Sequence, residues 1–191
     1  MTFAVKIPEV PPQSYKSIGR EAVEFLRKFY PEGLQKPCPI PIIDILDANH
    51  KFEEETGFTL LAEELGFGIL GQTDFCQNVI TIPPATYIAA QLHAGREKFT
   101  VGHELGHAWL HGDFFKGCIM ENKISVLNRS DIKVFRNPEW QAEAFASAVL
   151  MPTPMVVNIC RKGATVEDVM DTFKVSYKAA ENRVNKIHKF L

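Results

Sequence analysis

The chain has 191 residues, of which 46% are hydrophobic and 23% charged, and its formal net charge is −2. This composition is typical of a globular domain with its own core, and the near-balanced charge provides no general attraction to nucleic acid or a membrane surface. The four cysteines form no paired motif, the chain starts without a leader-like segment, and no apolar run approaches the ~20 residues that span a bilayer. We therefore expect a cytoplasmic protein with reduced thiols and no membrane partner.

The first quarter of the chain predicts an arm and two helices. Residues 1–16 contain three prolines and little periodicity, which predicts an extended arm. Apolar residues then recur at helical spacing, which predicts a helix with Ser17 as its N-cap and Pro31 as its stop. A second, short helix is expected around Ile42–Ala48.

The middle of the chain predicts strands around a helix. "GFGIL" (66–70) and "NVITI" (78–82) are short, apolar and bounded by turn residues, so both are predicted to be strands. A helix is expected at "ATYIAAQLH" (85–93), and another from about 96–100 to Gly112, a natural residue after a helix end. Residues 113–136 are expected to be irregular, with candidate strands at "ISVLN" (124–128) and "IKVF" (132–135).

The last third of the chain is predicted to be helical. In "NPEWQAEAFASAVLMP", Asn137 can cap a helix, Pro138 suits its first position, and Pro152 closes it. Two further helices follow, the first opened by a capping box of Thr165 and Asp168 and the second capped by Ser176.

The helix that starts near residue 96 contains His103-Glu104-Leu105-Gly106-His107, which is H-E-x-x-H. Positions i and i+4 share one face of a helix, so the two imidazoles can converge on one Zn²⁺ ion. Glu104 is then placed to take the proton of a water whose pKa the zinc lowers toward ~7. Two glycines, Gly102 and Gly106, each cost ~1 kcal/mol in a helix interior, which predicts a second backbone packed closely against this helix.

A catalytic zinc has three protein ligands, so a third one is needed. Asp113 is an unlikely ligand because the helix is expected to run through Leu110 without the break that such a ligand requires. His111 lies one turn beyond His107, too far along the axis to share the ion, and is expected to support the site from behind. Glu139 and Glu143 on the next long helix are the better candidates.

The pair at 139 and 143 is similar to the arrangement of thermolysin-like (gluzincin) peptidases. There a downstream helix supplies a glutamate ligand, and an acidic residue one turn later hydrogen-bonds the far nitrogen of a ligand histidine. We assign Glu139 as the ligand and Glu143 to the hydrogen bond, and the reverse assignment stays open.

Two segments together resemble the ImmA/IrrE family of metallopeptidases. "REKFTVGHELGHAWLH" is similar to the family pattern F-T-x-A-H-E-x-G-H-x-x-x-H, and "PEWQAEAFASAVLMP" is similar to E-x-E-A-N-x-F-A-x-x-L-L-M-P. The chain departs from these patterns at Gly102, Gln141 and Glu143, and none of these departures removes an expected ligand. The tail "VMDTFKVSYKAAENRVNKI" is similar to a helix pair that often follows in the family.

The resemblance implies a zinc-dependent endopeptidase that cleaves a transcriptional regulator such as a helix-turn-helix repressor. We expect an α+β fold, in which a small twisted β-sheet packs on the HExxH helix of a mostly helical, zincin-like domain. The expected division is an arm (1–16), a peptidase domain (17–160) and a C-terminal helix-turn-helix-like hairpin (161–191) packed on the same core.

Several points stay open. The tetrahedral oxyanion needs a further donor, which the sequence does not choose among the available side chains: Tyr15, Tyr30, Tyr87, Tyr177, His93 and His111. The edge of "NVITI" could receive an extended substrate. The alternative function is a regulator-binding, DNA-binding or toxin–antitoxin module with a structural or silent metal site. It rests on the cations of the tail: Lys174, Lys178, Arg183, Lys186 and Lys189. A solvated face explains these cations better, so we expect no nucleic-acid partner.

Overall fold

The structure, a computed structural model, describes residues 6–47, 50–92, 95–121, 126–128 and 132–187. In chain order its elements are β1 (Lys6–Pro8), α1 (Tyr15–Phe29), α2 (Ile42–Asp47), α3 (Lys51–Thr56), β2 (Thr59–Ala62), β3 (Gln72–Asp74), β4 (Val79–Ile82), α4 (Pro84–Gln91), α5 (Gly95–Met120), β5 (Val126–Asn128), α6 (Pro138–Leu150), α7 (Thr153–Arg161), α8 (Val166–Phe173) and α9 (Tyr177–Ile187). Short 3-10 turns lie at Pro31–Leu34 and Val134–Arg136. This mostly helical chain with a small mixed sheet confirms the predicted α+β class.

The sheet next to α5 has the strand order β2–β4–β3. Strand β4 is central, parallel to β2 and antiparallel to β3, and it alternates so that Ile80 and Ile82 are buried. The strand predicted at "NVITI" is therefore confirmed. Because β4 is hydrogen-bonded to a strand on each side, it has no free edge to receive a substrate, and that prediction is wrong. Strand β3 has one partner within the described ranges and lies at the edge. Separately, β1 pairs antiparallel with β5.

"GFGIL" is a turn and not a strand, so this prediction is wrong. Gly68 has φ of +81°, a left-handed conformation that an extended strand cannot contain. The side chain of Phe67 is fully exposed, so the burial that the apolar sequence predicted does not occur there. The strands β2 and β3 flank this turn instead.

Helices α5 and α6 form the centre of the core and approach each other closely. A Cβ atom added to Gly106 would lie 2.9 Å from both Cα and the main-chain oxygen of Ala142, and one added to Gly102 would lie 3.2 Å from Cβ of Ala146. The close neighbour predicted from these two glycines is therefore α6. Helix α1 covers the other side of α6, where Phe25 packs edge-on against Phe145 with ring centroids 5.9 Å apart.

Two predicted helix boundaries and one predicted strand are wrong. Helix α1 begins at Tyr15, because Ser14 is the N-cap and Ser17 is its capping-box partner three residues later. Helix α5 continues through Gly112 to Met120. The ring of Phe58 packs 2.8 Å from where a Cβ of Gly112 would be, so this glycine makes room for a close contact and does not end the helix. "IKVF" runs into the 3-10 turn and forms no strand.

The other element predictions agree with the structure. Helices α2, α4 and α6 and strand β5 lie where the sequence placed them, and Asn137 caps α6 through the main-chain N–H groups of Glu139 and Trp140. The capping box of Thr165 and Asp168 opens α8, and Ser176 Oγ accepts from the Ala179 N–H at the start of α9. Helices α3 and α7 and strands β2 and β3 were not predicted.

The hairpin of α8 and α9 packs on the rest of the chain through two buried cations. Arg183 donates from Nε to the Met151 carbonyl (3.0 Å) and from Nη2 to Thr153 Oγ1 (2.9 Å), and Nη1 contacts the Tyr15 hydroxyl. Lys98 of α5 donates to the Phe173 carbonyl at the end of α8 (3.1 Å). The division into 1–16, 17–160 and 161–191 stays a prediction.

Within the described ranges, no single helix is long and apolar enough to cross a membrane. Helices α6 and α7 meet that length and composition only together, as a pair bent by 56°.

Candidate metal centre

Helix α5 presents His103 and His107 on one face. Their Nε2 atoms are 3.1 Å apart, and their side chains are 25% and 12% exposed. Because the two residues are four positions apart on an unbroken helix, the backbone alone brings the imidazoles together. The spacing of the H-E-x-x-H motif therefore produces two converging nitrogen donors.

Helix α6 adds the carboxylate of Glu139 to this pair. Glu139 Oε2 lies 3.2 Å from His103 Nε2, and Oε1 lies 3.4 Å from His107 Nε2. The cap at Asn137 fixes the start of α6, so Glu139 falls in its first turn and faces α5. One ligand atom from each of the three residues lies within 4.8 Å of the others.

These distances fit a divalent ion with tetrahedral geometry. With metal–ligand bonds of about 2.0–2.1 Å, neighbouring ligand atoms of a tetrahedral zinc site are about 3.3 Å apart. The observed separations of 3.1, 3.2 and 3.4 Å bracket that value. Two imidazole nitrogens and one carboxylate also match the ligand types of catalytic zinc sites, which keep one position open. His103, His107 and Glu139 could therefore hold such an ion.

The ionisable side chains of this group shift one another's pKa values. Hydrogen bonds from His103 and His107 hold the pKa of Glu139 far below its usual range, although partial burial opposes the shift. Burial disfavours the charged form of His103, but the hydrogen bond to Glu139 and the carboxylates of Glu104, Glu139 and Glu143 outweigh it and raise the pKa. The Glu139 carboxylate therefore stays ionised at neutral pH and can offer a negatively charged oxygen to a cation.

Glu104 lies beside the metal group and is oriented by β3. The Thr73 hydroxyl is 2.8 Å from Glu104 Oε2 and 3.1 Å from the main-chain oxygen of Glu104. Gly71 is required just before β3, since a Cβ there would lie 2.8 Å from Cγ of Glu104. Glu104 is only 8% exposed, and it shares a cavity of about 350 Å³ with the three ligand candidates and with β3. The carboxylate is therefore held at the metal group with its orientation fixed.

His111 lies behind His107, as the sequence predicted. The two Nδ1 atoms are 3.3 Å apart, and His111 Nε2 is 3.1 Å from Oε1 of Gln141. Burial lowers the pKa of His111 to about 3, so this ring is neutral. His111 therefore contacts one of the two candidate ligand histidines without joining the three-residue group itself.

Glu143 is not placed as predicted. It is exposed and makes no hydrogen bond among the described residues, and it lines a neighbouring cavity of about 400 Å³ together with Thr100 and Ser147. Glu143 is one helical turn further along α6 than Glu139, which carries it past the histidines. Its carboxylate acts on His103 only through its charge. Asp113 lines a different cavity with Trp109, away from the metal group.

The predicted oxyanion donors do not enter the metal cavity. Tyr15 contacts Arg183, the Tyr87 hydroxyl donates to Asp47 Oδ2 (2.6 Å), and His111 is engaged on both nitrogens. None of the candidates within the described ranges lines that cavity, and His93 lies outside them.

Sequence reasoning missed Thr73 and the role of Gln141. Thr73 gave no signal, because β3 itself was not predicted. Gln141 did give a signal, namely an uncharged polar residue in an otherwise apolar stretch of α6, but only as a departure from a family pattern.

Comparison with known proteins supports the prediction of a zincin-like domain. The model of the Peptidase_M78 family, described as the IrrE N-terminal-like domain, matches residues 83–185, more than half of the chain. No curated protein matches significantly. A Mycobacterium tuberculosis transcriptional regulator has a similar structure, with a TM-score of 0.56 and 14% identity, over 90% of this chain and 48% of the regulator. At this identity the likeness concerns the fold alone, and the chain spans about half of the regulator's length.

Proposed function

Because the chain belongs to the Peptidase_M78 family of IrrE N-terminal-like domains, and so has a metallopeptidase-type domain, we propose that it is a zinc-dependent endopeptidase. The observation that carries the proposal is the group of His103, His107 and Glu139, assembled from two helices beside a buried Glu104. Such a group with an adjacent carboxylate is the arrangement that metal-assisted peptide hydrolysis requires.

Each residue has a defined task in this proposal. His103, His107 and Glu139 hold Zn²⁺, which when bound lowers the pKa of water and polarises a carbonyl. Glu104 accepts the proton of the attacking water and passes it to the leaving amine. The Thr73 hydroxyl holds Glu104 by a 2.8 Å hydrogen bond, so that the carboxylate points to the water.

The position of β3 favours cleavage within a chain rather than at its end. This strand lines the metal cavity and has one partner strand, β4, within the described part of the chain. Its outer edge therefore offers backbone groups to which an extended segment could pair. A substrate bound in this way would extend past the metal group in both directions.

A transcriptional regulator is the proposed substrate class, and a cytoplasmic location is proposed with it. This part rests on the resemblance of the motifs to the ImmA/IrrE family. The test is to incubate the full chain with regulator proteins encoded next to its gene, with and without a chelator, and to map any cut by mass spectrometry. A chelator-sensitive cut at one site is expected, and a regulator set left intact by the zinc-loaded protein would contradict this substrate class.

The peptidase chemistry itself is tested by Glu104→Gln. The amide keeps the shape but cannot accept the proton, so we expect peptide hydrolysis to fall by about 10²–10⁴-fold with zinc affinity retained. Glu97→Gln, on the same helix but away from the cavity, serves as the control and should behave as the parent protein. An unchanged hydrolysis rate in Glu104→Gln would remove Glu104 as the general base.

The environments of the cations in the α8–α9 hairpin weaken the case for the alternative function, a nucleic-acid-binding module. Arg183 is fully buried, Lys178 pairs with Glu181 (Nζ–Oε2, 2.6 Å), and Lys189 lies outside the described residues. Of the described cations, Arg183 is therefore not available to a phosphate backbone, and the charge of Lys178 is balanced by Glu181. A DNA mobility shift that weakens with salt and is lost when Lys178 and Lys186 are neutralised would restore this alternative.

A further inference from the structure

A chain of buried polar groups leads from the metal cavity to the N-terminal arm. It runs from His107 through His111 and Gln141 to the main-chain oxygen of Pro11. We propose that Gln141 is a positioning residue that fixes the tautomer of His111 and keeps a proton on Nδ1 of His107, so that Nε2 of His107 is the atom offered to the ion site. This inference rests on the proposed metal centre and adds a residue to it.

The orientation of the Gln141 amide follows from its surroundings. Nε2 lies 2.9 Å from the Pro11 carbonyl oxygen and 2.8 Å from the Phe135 carbonyl oxygen. Carbonyl oxygens only accept, so the side-chain NH₂ group must face both of them and use both of its hydrogens. The other amide atom, Oε1, is then the one that faces His111, and it only accepts.

The orientation of this amide determines where the protons of the two rings lie. Since Oε1 accepts, His111 must donate from Nε2, 3.1 Å away. An imidazole whose proton lies on Nε2 has a lone pair on Nδ1, so His111 accepts from His107 Nδ1 at 3.3 Å. His107 then donates from Nδ1, which makes its Nε2 the atom offered to an ion held with His103 and Glu139; Nε2 faces Glu139 Oε1 at 3.4 Å. A hydrogen bond to the outer nitrogen of a ligand histidine fixes its tautomer and ring orientation.

Burial makes the arrangement rigid. Gln141 and His111 are each 1% exposed, so water does not compete for their hydrogen bonds. No described side-chain atom of either residue is left buried without a partner. A fully satisfied buried network holds a single geometry, whereas a gap in it would leave costly unpaired groups.

The acceptors for Gln141 are themselves held by the arm. The Val10 N–H donates to the Arg136 carbonyl (3.1 Å), and the Gln13 N–H donates to the same Phe135 carbonyl that Gln141 uses (2.8 Å). Residues 10–13 therefore lie against the 3-10 turn before α6 and place the Pro11 carbonyl. The arm thus contributes to the metal centre through one side chain, although it supplies no ligand.

The first experiment measures the tautomers directly. Long-range ¹H–¹⁵N NMR of the histidine rings is recorded on the full-length, metal-free protein. We expect a proton on Nδ1 of His107, and His111 as the Nε2–H form. The opposite tautomer on either ring would overturn the proposal, and this measurement needs no variant.

The second experiment removes the amide. In Gln141→Leu, which has a similar size but no polar group, we expect His111 to populate both tautomers and the zinc affinity, measured by chelator competition, to fall about 10–100-fold. Ser147→Ala, at another buried polar position of α6, is the control and should keep both the NMR pattern and the affinity. A folded Gln141→Leu protein with unchanged tautomers and affinity would refute the role of Gln141.

Neither readout depends on peptide cleavage. A protein that binds zinc with the expected tautomers but cuts no substrate would contradict the proposed peptidase and leave the role of Gln141 intact.

Discussion

Replacement of Gly106 by alanine tests whether the close contact between α5 and α6 builds the metal centre. The new methyl group would lie 2.9 Å from Cα and the main-chain oxygen of Ala142, and 3.2 Å from its Cβ. Ordinary carbon contacts are about 3.5–4.0 Å, so α6 must move away by about 0.6 Å or more. The obstacle is backbone, which cannot rotate aside as a side chain could.

This displacement acts on Glu139, which lies one turn before Ala142 on the same face of α6. Metal–ligand distances tolerate changes of about 0.2 Å, so a shift of about 0.6 Å takes the carboxylate out of bonding range. We expect the zinc affinity of Gly106→Ala to fall at least tenfold. Overpacking costs about 1–3 kcal/mol, which the better helix propensity of alanine offsets by about 1 kcal/mol. The free energy of unfolding should therefore fall by about 0–2 kcal/mol.

Gly117→Ala is the matched control on the same helix. Among the described residues, no atom outside the helix's own backbone lies within 4 Å of the position where its Cβ would be, so we expect only the helix propensity to change. The variant should be more stable by about 0.5–1 kcal/mol, with unchanged zinc affinity. Urea unfolding and chelator competition measure both quantities for both variants. A Gly106→Ala protein that binds zinc as tightly as Gly117→Ala would refute the link between helix contact and metal site.

Two further predictions concern Glu104 and a buried lysine. Thr73→Val keeps the shape of the side chain but removes the hydrogen bond to Glu104, so kcat for peptide hydrolysis should fall about tenfold with unchanged zinc affinity; an unaffected kcat would show that Glu104 is oriented without Thr73. Burial lowers the pKa of Lys98 to about 8, whereas the unfolded chain keeps that proton up to about 10.4. The free energy of unfolding of the parent should therefore rise relative to that of Lys98→Met between pH 8 and 10.4, by on the order of 3 kcal/mol. Below pH 8 the difference between the two proteins should be constant. Urea unfolding across this window measures both curves, and parallel curves would contradict the lowered pKa.

The sequence by itself determined the features that depend on local geometry. Two histidines at positions i and i+4 lie close together on any regular helix. The face of α5 that carries His103 and His107 could therefore be predicted without knowing which elements pack against α5. The two glycines of α5 predicted a closely packed neighbouring backbone, because glycine destabilises a helix interior and a close contact explains why it is there. The start of α6 was fixed by Asn137 and Pro138, because caps act within one turn.

The tertiary structure alone decided which distant groups meet that face. The sequence favoured Glu139 over Glu143 as the ligand but left the reverse open, and only the crossing of α6 over α5 brings the first to the histidines and leaves the second exposed. Thr73 reaches Glu104 from a three-residue strand whose existence depends on pairing with β4. Gln141 acquires its role only because the arm folds back to offer the Pro11 carbonyl. Each of these contacts joins residues 30 or more positions apart, where hydrogen bonding and packing depend on the whole fold and no local pattern encodes the pairing.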